Sequence, residues 1–147
     1  MKKDTPWEWG LCQEVAFNEL KCKFTEKPAL LMPDPAKPFI LESDASKWAV
    51  GAVLRQTDSN GELHLCGYLS ASLSPTEKNY QIYDREMLAI IKALKHWHHL
   101  LLGAKEPIAI LMDHKNLTFW RKSQDLNARQ LRWKQFLYQF NFKFHYT

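Results

Sequence analysis

Apolar and polar positions alternate along the chain in two rhythms. Phe39-Ile40-Leu41 opens an extended run that ends at Asp44, Trp48 to Gln56 is a second β-prone run, and Glu62 to Ala71 is a third. Thr57-Asp58-Ser59-Asn60-Gly61 separates the last two and contains Asn-Gly, a favoured hairpin pair. Three strands with short connections predict an antiparallel meander. The rhythm then changes. Ser74-Pro75-Thr76-Glu77 reads as a capping box with proline at the first helical position. Tyr80, Tyr83, Met87, Ile91, Leu94, Trp97 and Leu101 recur at helical spacing, and Gly103 closes what the pattern predicts as one long helix. Pro107 to Asp113 is a fourth strand, reached by that helical crossover and therefore parallel to a strand of the meander. A short helix around Asn116 to Lys122, a longer one from Asn127 to Phe140 and an alternating strand from Phe142 to Tyr146 complete the order βββαβααβ. The expected fold is α/β, a mixed five-stranded sheet flanked by helices.

Ahead of the sheet, Glu8 to Phe24 reads as a helix with Leu11, Cys12, Val15, Ala16, Leu20 and Phe24 on a broad apolar stripe. Pro28, Pro33, Pro35 and Pro38 then break the chain, because each removes a backbone donor and fixes φ. This divides the sequence into residues 1–37, a helix with a proline-rich linker, and 38–147, the main domain. A length of 147 residues, 46% hydrophobic and 24% charged, is enough for one domain with a real core and excludes a disordered chain. No run of about 18 apolar residues is present, so no membrane span is expected. Cys12, Cys22 and Cys66 form no CxxC pair. They read as reduced thiols in an intracellular setting and argue against zinc.

Charge changes the picture. From His114 to Thr147 seven basic residues face one acid, Asp125, a net +6 against +4 for the whole chain. Such a tail suits a polyanion, although a solvated basic helix has the same composition. Three acids sit where surface charge has little structural reason to be. Asp44 and Asp113 each end an apolar strand, and Glu86 lies in the apolar sector of the long helix with no lysine or arginine three or four positions away. Carboxylates gathered at one sheet edge suit Mg²⁺, and paired Mg²⁺ ions suit phosphodiester hydrolysis. Each acid also has a plain reading: a turn-initiating Asp44, an N-capping Asp113, a helix-flank Glu86 reaching solvent. Asp84 reads as an exposed or early-helix acid. His114 follows Asp113 and is placed to touch a phosphate, whereas His96, His98 and His99 read as helix-end residues partly facing solvent. Trp133 with Arg129, Arg132 and Lys134 could stack a base and grip a backbone, or be a core tryptophan with surface cations.

Taken in order, Phe39-Ile40-Leu41-Glu42-Ser43-Asp44-Ala45-Ser46, Gly51-Ala52-Val53-Leu54, Tyr68-Leu69-Ser70, Glu77-Lys78-Asn79-Tyr80, Asp84-Arg85-Glu86-Met87-Leu88-Ala89-Ile90, Asp113-His114-Lys115-Asn116-Leu117 and Leu126-Asn127-Ala128-Arg129-Gln130-Leu131-Arg132-Trp133 resemble the ribonuclease H domain of Ty3/gypsy-type LTR retrotransposon reverse transcriptases. Trp9 to Pro28 resembles the piece joining the reverse-transcriptase thumb to that domain. The resemblance implies a ribonuclease H-like fold, with Asp44, Glu86 and Asp113 as the first three of four catalytic, metal-binding carboxylates. It implies two Mg²⁺ ions, with Mn²⁺ able to substitute, and hydrolysis of the RNA strand of an RNA:DNA hybrid. Substrate contacts then fall to Ser46, His114, Asn116, Arg129, Arg132 and Trp133. The implied partners are the hybrid and the polymerase portion of the same polyprotein, in a cytoplasmic retrotransposon particle. The family's fourth carboxylate lies beyond the last strand, where this chain ends, so the resemblance implies a domain cut before its last helix. That departure keeps two other readings open: a non-catalytic connection or scaffold module that binds hybrid or a polymerase, and a host-adopted interaction domain that uses only the fold.

Overall fold

The computed structural model describes residues 8–25, 30–112 and 126–146. Among these, α1 is Leu11–Thr25, β1 Phe39–Ala45, β2 Ala49–Thr57, β3 Leu63–Ser72, α2 Pro75–Lys78, α3 Ile82–His96, α4 His98–Leu101, β4 Ile108–Met112, α5 Ala128–Leu137 and β5 Phe142–Tyr146. The short helix expected around Asn116 to Lys122 lies outside the described residues.

The strands form one sheet in the order β3-β2-β1-β4-β5. The tight connections make β1–β2 and β2–β3 antiparallel, as the meander predicts. β4 returns through the helical crossover and lies parallel to β1, with Glu42 opposite Leu111, and β5 lies parallel to β4. Alternation decides the faces. Phe39, Leu41, Leu54, Ile108 and Ile110 are fully buried, together with Met87, Ile90, Ile91 and Leu94 of α3. Ile40, Val53, Ala109 and Leu111 take the intervening positions and are half-buried, with an Arg55–Glu42 ion pair (2.9 Å) among them. One bulge interrupts β3: Gly67 pairs with Leu54 and Leu65 with Arg55, leaving Cys66 as the extra residue. Cys66 and Gly67 are consequently both buried.

The single long helix expected from Pro75 onward is three pieces. The Ser74–Glu77 capping box is present in both directions but closes only one turn, α2. Gln81 is extended (ψ 157°) and starts α3 afresh. Trp97, with φ −99° and ψ 22°, separates α3 from α4. Its indole lies against Gly67, where a Cβ would sit 3.0 Å from Nε1. Apolar spacing runs through both breaks, so periodicity alone conceals them.

The proline-rich stretch is tied to the sheet. The Leu31 amide donates to the Leu65 carbonyl (2.6 Å). Gln56, fully buried, accepts from the Asp34 amide (2.8 Å) and donates to the carbonyls of Asp34 (2.8 Å) and Lys37 (3.2 Å). A buried amide with both ends satisfied stabilises the entry of the chain into β1. Upstream, the described side chains of α1 are exposed.

Candidate active site

Asp44 stands at the end of β1, paired across the sheet with Gly51. One of its carboxylate oxygens accepts from the Ala45 amide (2.8 Å). The chain then turns through Ser46, whose hydroxyl accepts from the amides of Trp48 (3.1 Å) and Ala49 (2.9 Å) and donates to the Ala49 carbonyl (3.0 Å). Ser46 therefore shapes the turn that follows Asp44. Glu86 approaches from α3. Asp44 and Glu86, with Ser43, Ile90 and Met112, line one cleft of about 90 Å³. The parallel pairing of β1 with β4 brings Met112 there. Two carboxylates and Ser43 around a small cleft form a set of hard oxygen donors, which fits a hydrated Mg²⁺ or Mn²⁺ ion. Asp113, His114 and Asn116 lie outside the described residues.

The first turn of α3 is held from two sides. Arg85 donates through Nη1 to the Ser46 carbonyl (3.1 Å), joining the helix to the turn after Asp44. On the other side Asp84 lies in the first turn of α3, as the early-helix reading has it, but it is 3% exposed, so the exposed reading of this acid is corrected. Its carboxylate receives Arg129 Nη2 (2.5 Å) and Gln130 Nε2 (2.9 Å), both from α5. The arginine guanidinium lies 3.8 Å from the Tyr80 ring centroid. A buried carboxylate needs such donors, and nothing near it in sequence supplies them.

The other sequence-predicted residues fall elsewhere. Trp133 is 9% exposed and belongs to the core, 6.2 Å from Tyr80 between ring centroids. Together with Arg129, Arg132 and Lys95 it lines a groove of about 450 Å³ between α3 and α5, separate from the Asp44–Glu86 cleft. Arg132 is exposed on α5. At the opposite end of β2, Asp58, Glu62 and His64 bring ligand-type atoms within 4.8 Å of one another. The Asp58 carboxylate is already satisfied by the Asn60 (2.8 Å) and Glu62 (2.9 Å) amides and by His64 (2.9 Å), as expected of a hairpin-turn aspartate. The Glu62 amide in particular, helped by His64, holds its carboxyl below the usual range.

Three comparisons bear on this geometry. A family model described as "RNase H-like domain found in reverse transcriptase" matches residues 34–140. The chain is 43% identical over 148 residues to the transposon Tf2-3 polyprotein of Schizosaccharomyces pombe, covering 99% of this chain and 11% of that one. The chain thus spans about a tenth of the length of such polyproteins. Among solved structures, the native prototype foamy virus protease-reverse transcriptase superposes with a TM-score of 0.69 at 17% identity, over 99% of this chain and 20% of that one. LC11-RNase H1 in complex with an RNA/DNA hybrid superposes with a TM-score of 0.52 at 14% identity, over 74% of this chain and 84% of that one. The described residues contain no helix long and apolar enough to cross a membrane.

Proposed function

The chain belongs to the RNase H-like domain family found in reverse transcriptases, and from that premise we propose that it hydrolyses the RNA strand of RNA:DNA hybrids at a divalent-metal site built on Asp44 and Glu86. The single observation that carries the reading is the convergence of these two acids, 42 residues apart in sequence, on one small cleft. Asp113 directly follows Met112, which lines the same cleft, and is assigned as a third ligand.

Asp44, Glu86 and Asp113 would hold two Mg²⁺ ions, for which Mn²⁺ could substitute. Bound ions of this kind supply an activated water and charge stabilisation at the leaving oxygen. The carboxylates act as ligands and need not transfer protons. Ile90 and Met112 form the apolar side of the cleft. Ser46, His114, Asn116, Arg129, Arg132 and Trp133 are assigned to the hybrid, with phosphates drawn to the basic stretch from His114 to Thr147 and RNA told from DNA by 2′-hydroxyl contacts. The domain proper is 38–147. Residues 1–37 connect it to the polymerase portion of a longer polyprotein in a cytoplasmic retrotransposon particle, and the apolar residues of α1 face that portion.

The test is a labelled RNA:DNA hybrid incubated with the chain, and with a C-terminally extended form, in Mg²⁺ and in Mn²⁺. The expected result is cleavage of the RNA strand, reduced at least about 100-fold by Glu86→Gln. Hybrid binding without cleavage in either form would overturn the enzymatic reading in favour of a scaffold.

A further inference from the structure

Glu86 occupies a weak place in its helix. It sits five positions into α3, and the residue that starts α3, Gln81, makes no side-chain cap bond. First turns without a cap leave amides unsatisfied and fray. Glu86 sits just past that turn, so its carboxylate follows any rotation of the helix start, and a metal ligand tolerates little of that. Yet this turn is tethered from two sides, by Arg85 to the Ser46 carbonyl and by Asp84 to α5. Asp84 lies two residues before Glu86, which at about 100° per residue puts it on the far side of the helix from the cleft. There it is buried at 3% exposure and gripped by Arg129 (2.5 Å) and Gln130 (2.9 Å). Gln130 is itself fixed, 4% exposed, because its side-chain oxygen accepts from the Asn127 amide (3.0 Å) in the capping box of α5. Arg129 is fixed in turn by its stacking on Tyr80. The acid therefore joins the uncapped start of one helix to the fully capped start of another.

We propose that Asp84 is a positioning residue for Glu86: its bonds to Arg129 and Gln130 tether the uncapped start of α3 to α5 and set the rotation of that first turn, so that the Glu86 carboxylate meets Asp44 across the cleft. The inference rests on the metal-site reading above and deepens it. Asp84 touches neither metal nor substrate. The alternative, a purely structural ion pair between α3 and α5, makes a different prediction: loss of stability with an unchanged site.

Mn²⁺ affinity of the whole chain, followed by electron paramagnetic resonance of the free ion, separates these, with no dependence on cleavage. Unmodified chain, Glu86→Gln, Asp84→Asn and Arg129→Lys are compared well below their melting temperatures, with near-ultraviolet circular dichroism confirming that each is folded. The expected result is that Asp84→Asn weakens Mn²⁺ about tenfold, the scale seen when support of a ligand is removed, that Arg129→Lys retains most of the affinity, and that amide exchange at residues 82–86 accelerates in Asp84→Asn alone. If Asp84→Asn melts lower but binds Mn²⁺ within about twofold of the unmodified chain, the positioning role is overturned and the metal site stands. If Mn²⁺ binding in the unmodified chain is indifferent to Glu86→Gln, the metal-site reading falls, and the positioning role falls with it.

Discussion

Gln56 shows how one side chain can fix a boundary. It is fully buried and holds both backbone groups of Asp34 as well as the Lys37 carbonyl. Gln56→Ala removes these three bonds, and with them the bond its side-chain oxygen accepts from the Cys66 thiol (3.9 Å), and should lower stability by about 1–3 kcal/mol, read as a shift of the urea midpoint, with faster proteolysis between residues 30 and 38. Cys66 offers a second reading at this scale. Burial pushes its thiol up from the ordinary value, opposed weakly by its bond to Gln56. Cys12 and Cys22 are exposed. A thiol reagent at neutral pH should therefore label Cys12 and Cys22 at once and Cys66 only on unfolding, as mass spectrometry would show. Residue-scale features of this kind were only partly legible. Asp44 stands out because it ends an apolar strand, and Glu86 because it lies in the apolar sector of a helix with no lysine or arginine three or four positions away. Asp84 looked unremarkable because its partners lie 45 and 46 residues away. The bulge at Cys66 left no mark, since alternation on either side of it reads as one strand.

Among the elements, α2 is the smallest and the most dependent on its cap. The Ser74 amide donates to Glu77 (2.8 Å), the Glu77 amide donates to Ser74 Oγ (3.2 Å), and Lys92 reaches Glu77 from α3 (2.9 Å). Ser74→Ala should cost about 1 kcal/mol in a thermal melt. The pH dependence has a definite sign. Burial raises the Glu77 carboxyl, but the Ser74 amide and Lys92 outweigh it, and the net value lies below the ordinary 4.5. An acid lowered in the fold contributes stability that is complete above its unfolded value and is lost as pH falls through the folded one. The Glu77→Gln variant should therefore narrow its stability deficit as pH drops below about 4.5. At this scale the sequence was most readable. Strand starts, the meander, the capping box and β5 all follow from local pattern; the break at Trp97 does not, and its indole lies against Gly67, thirty residues earlier.

At the scale of the whole molecule, two parts differ in how they are held. The sheet with α3 and α5 encloses the core, whereas Leu11 is 85% exposed and Val15 and Leu20 also face outward on α1. A 15-residue helix whose described side chains are all exposed is marginal by itself. Hydrogen exchange should find residues 11–25 poorly protected and β1, β2 and β4 strongly protected, and removing residues 1–25 should change the melting free energy by less than about 0.5 kcal/mol. The order of elements, and with it the fold, was legible from sequence because α/β connectivity leaves few alternatives. The meeting of Asp44 with Glu86 was legible only through that fold, since no spacing rule links them.

The bulge in β3 also governs where the chain can change length. In the Asp58–Glu62 turn, one residue more or less alters only a surface loop. At Cys66–Gly67 the same change would reverse the phase of the strand beyond it, turning Tyr68 and Ser70 inward and Leu69 and Ala71 outward. Drift in length across this domain should therefore collect at the hairpin tip and be excluded from a point only a few residues away.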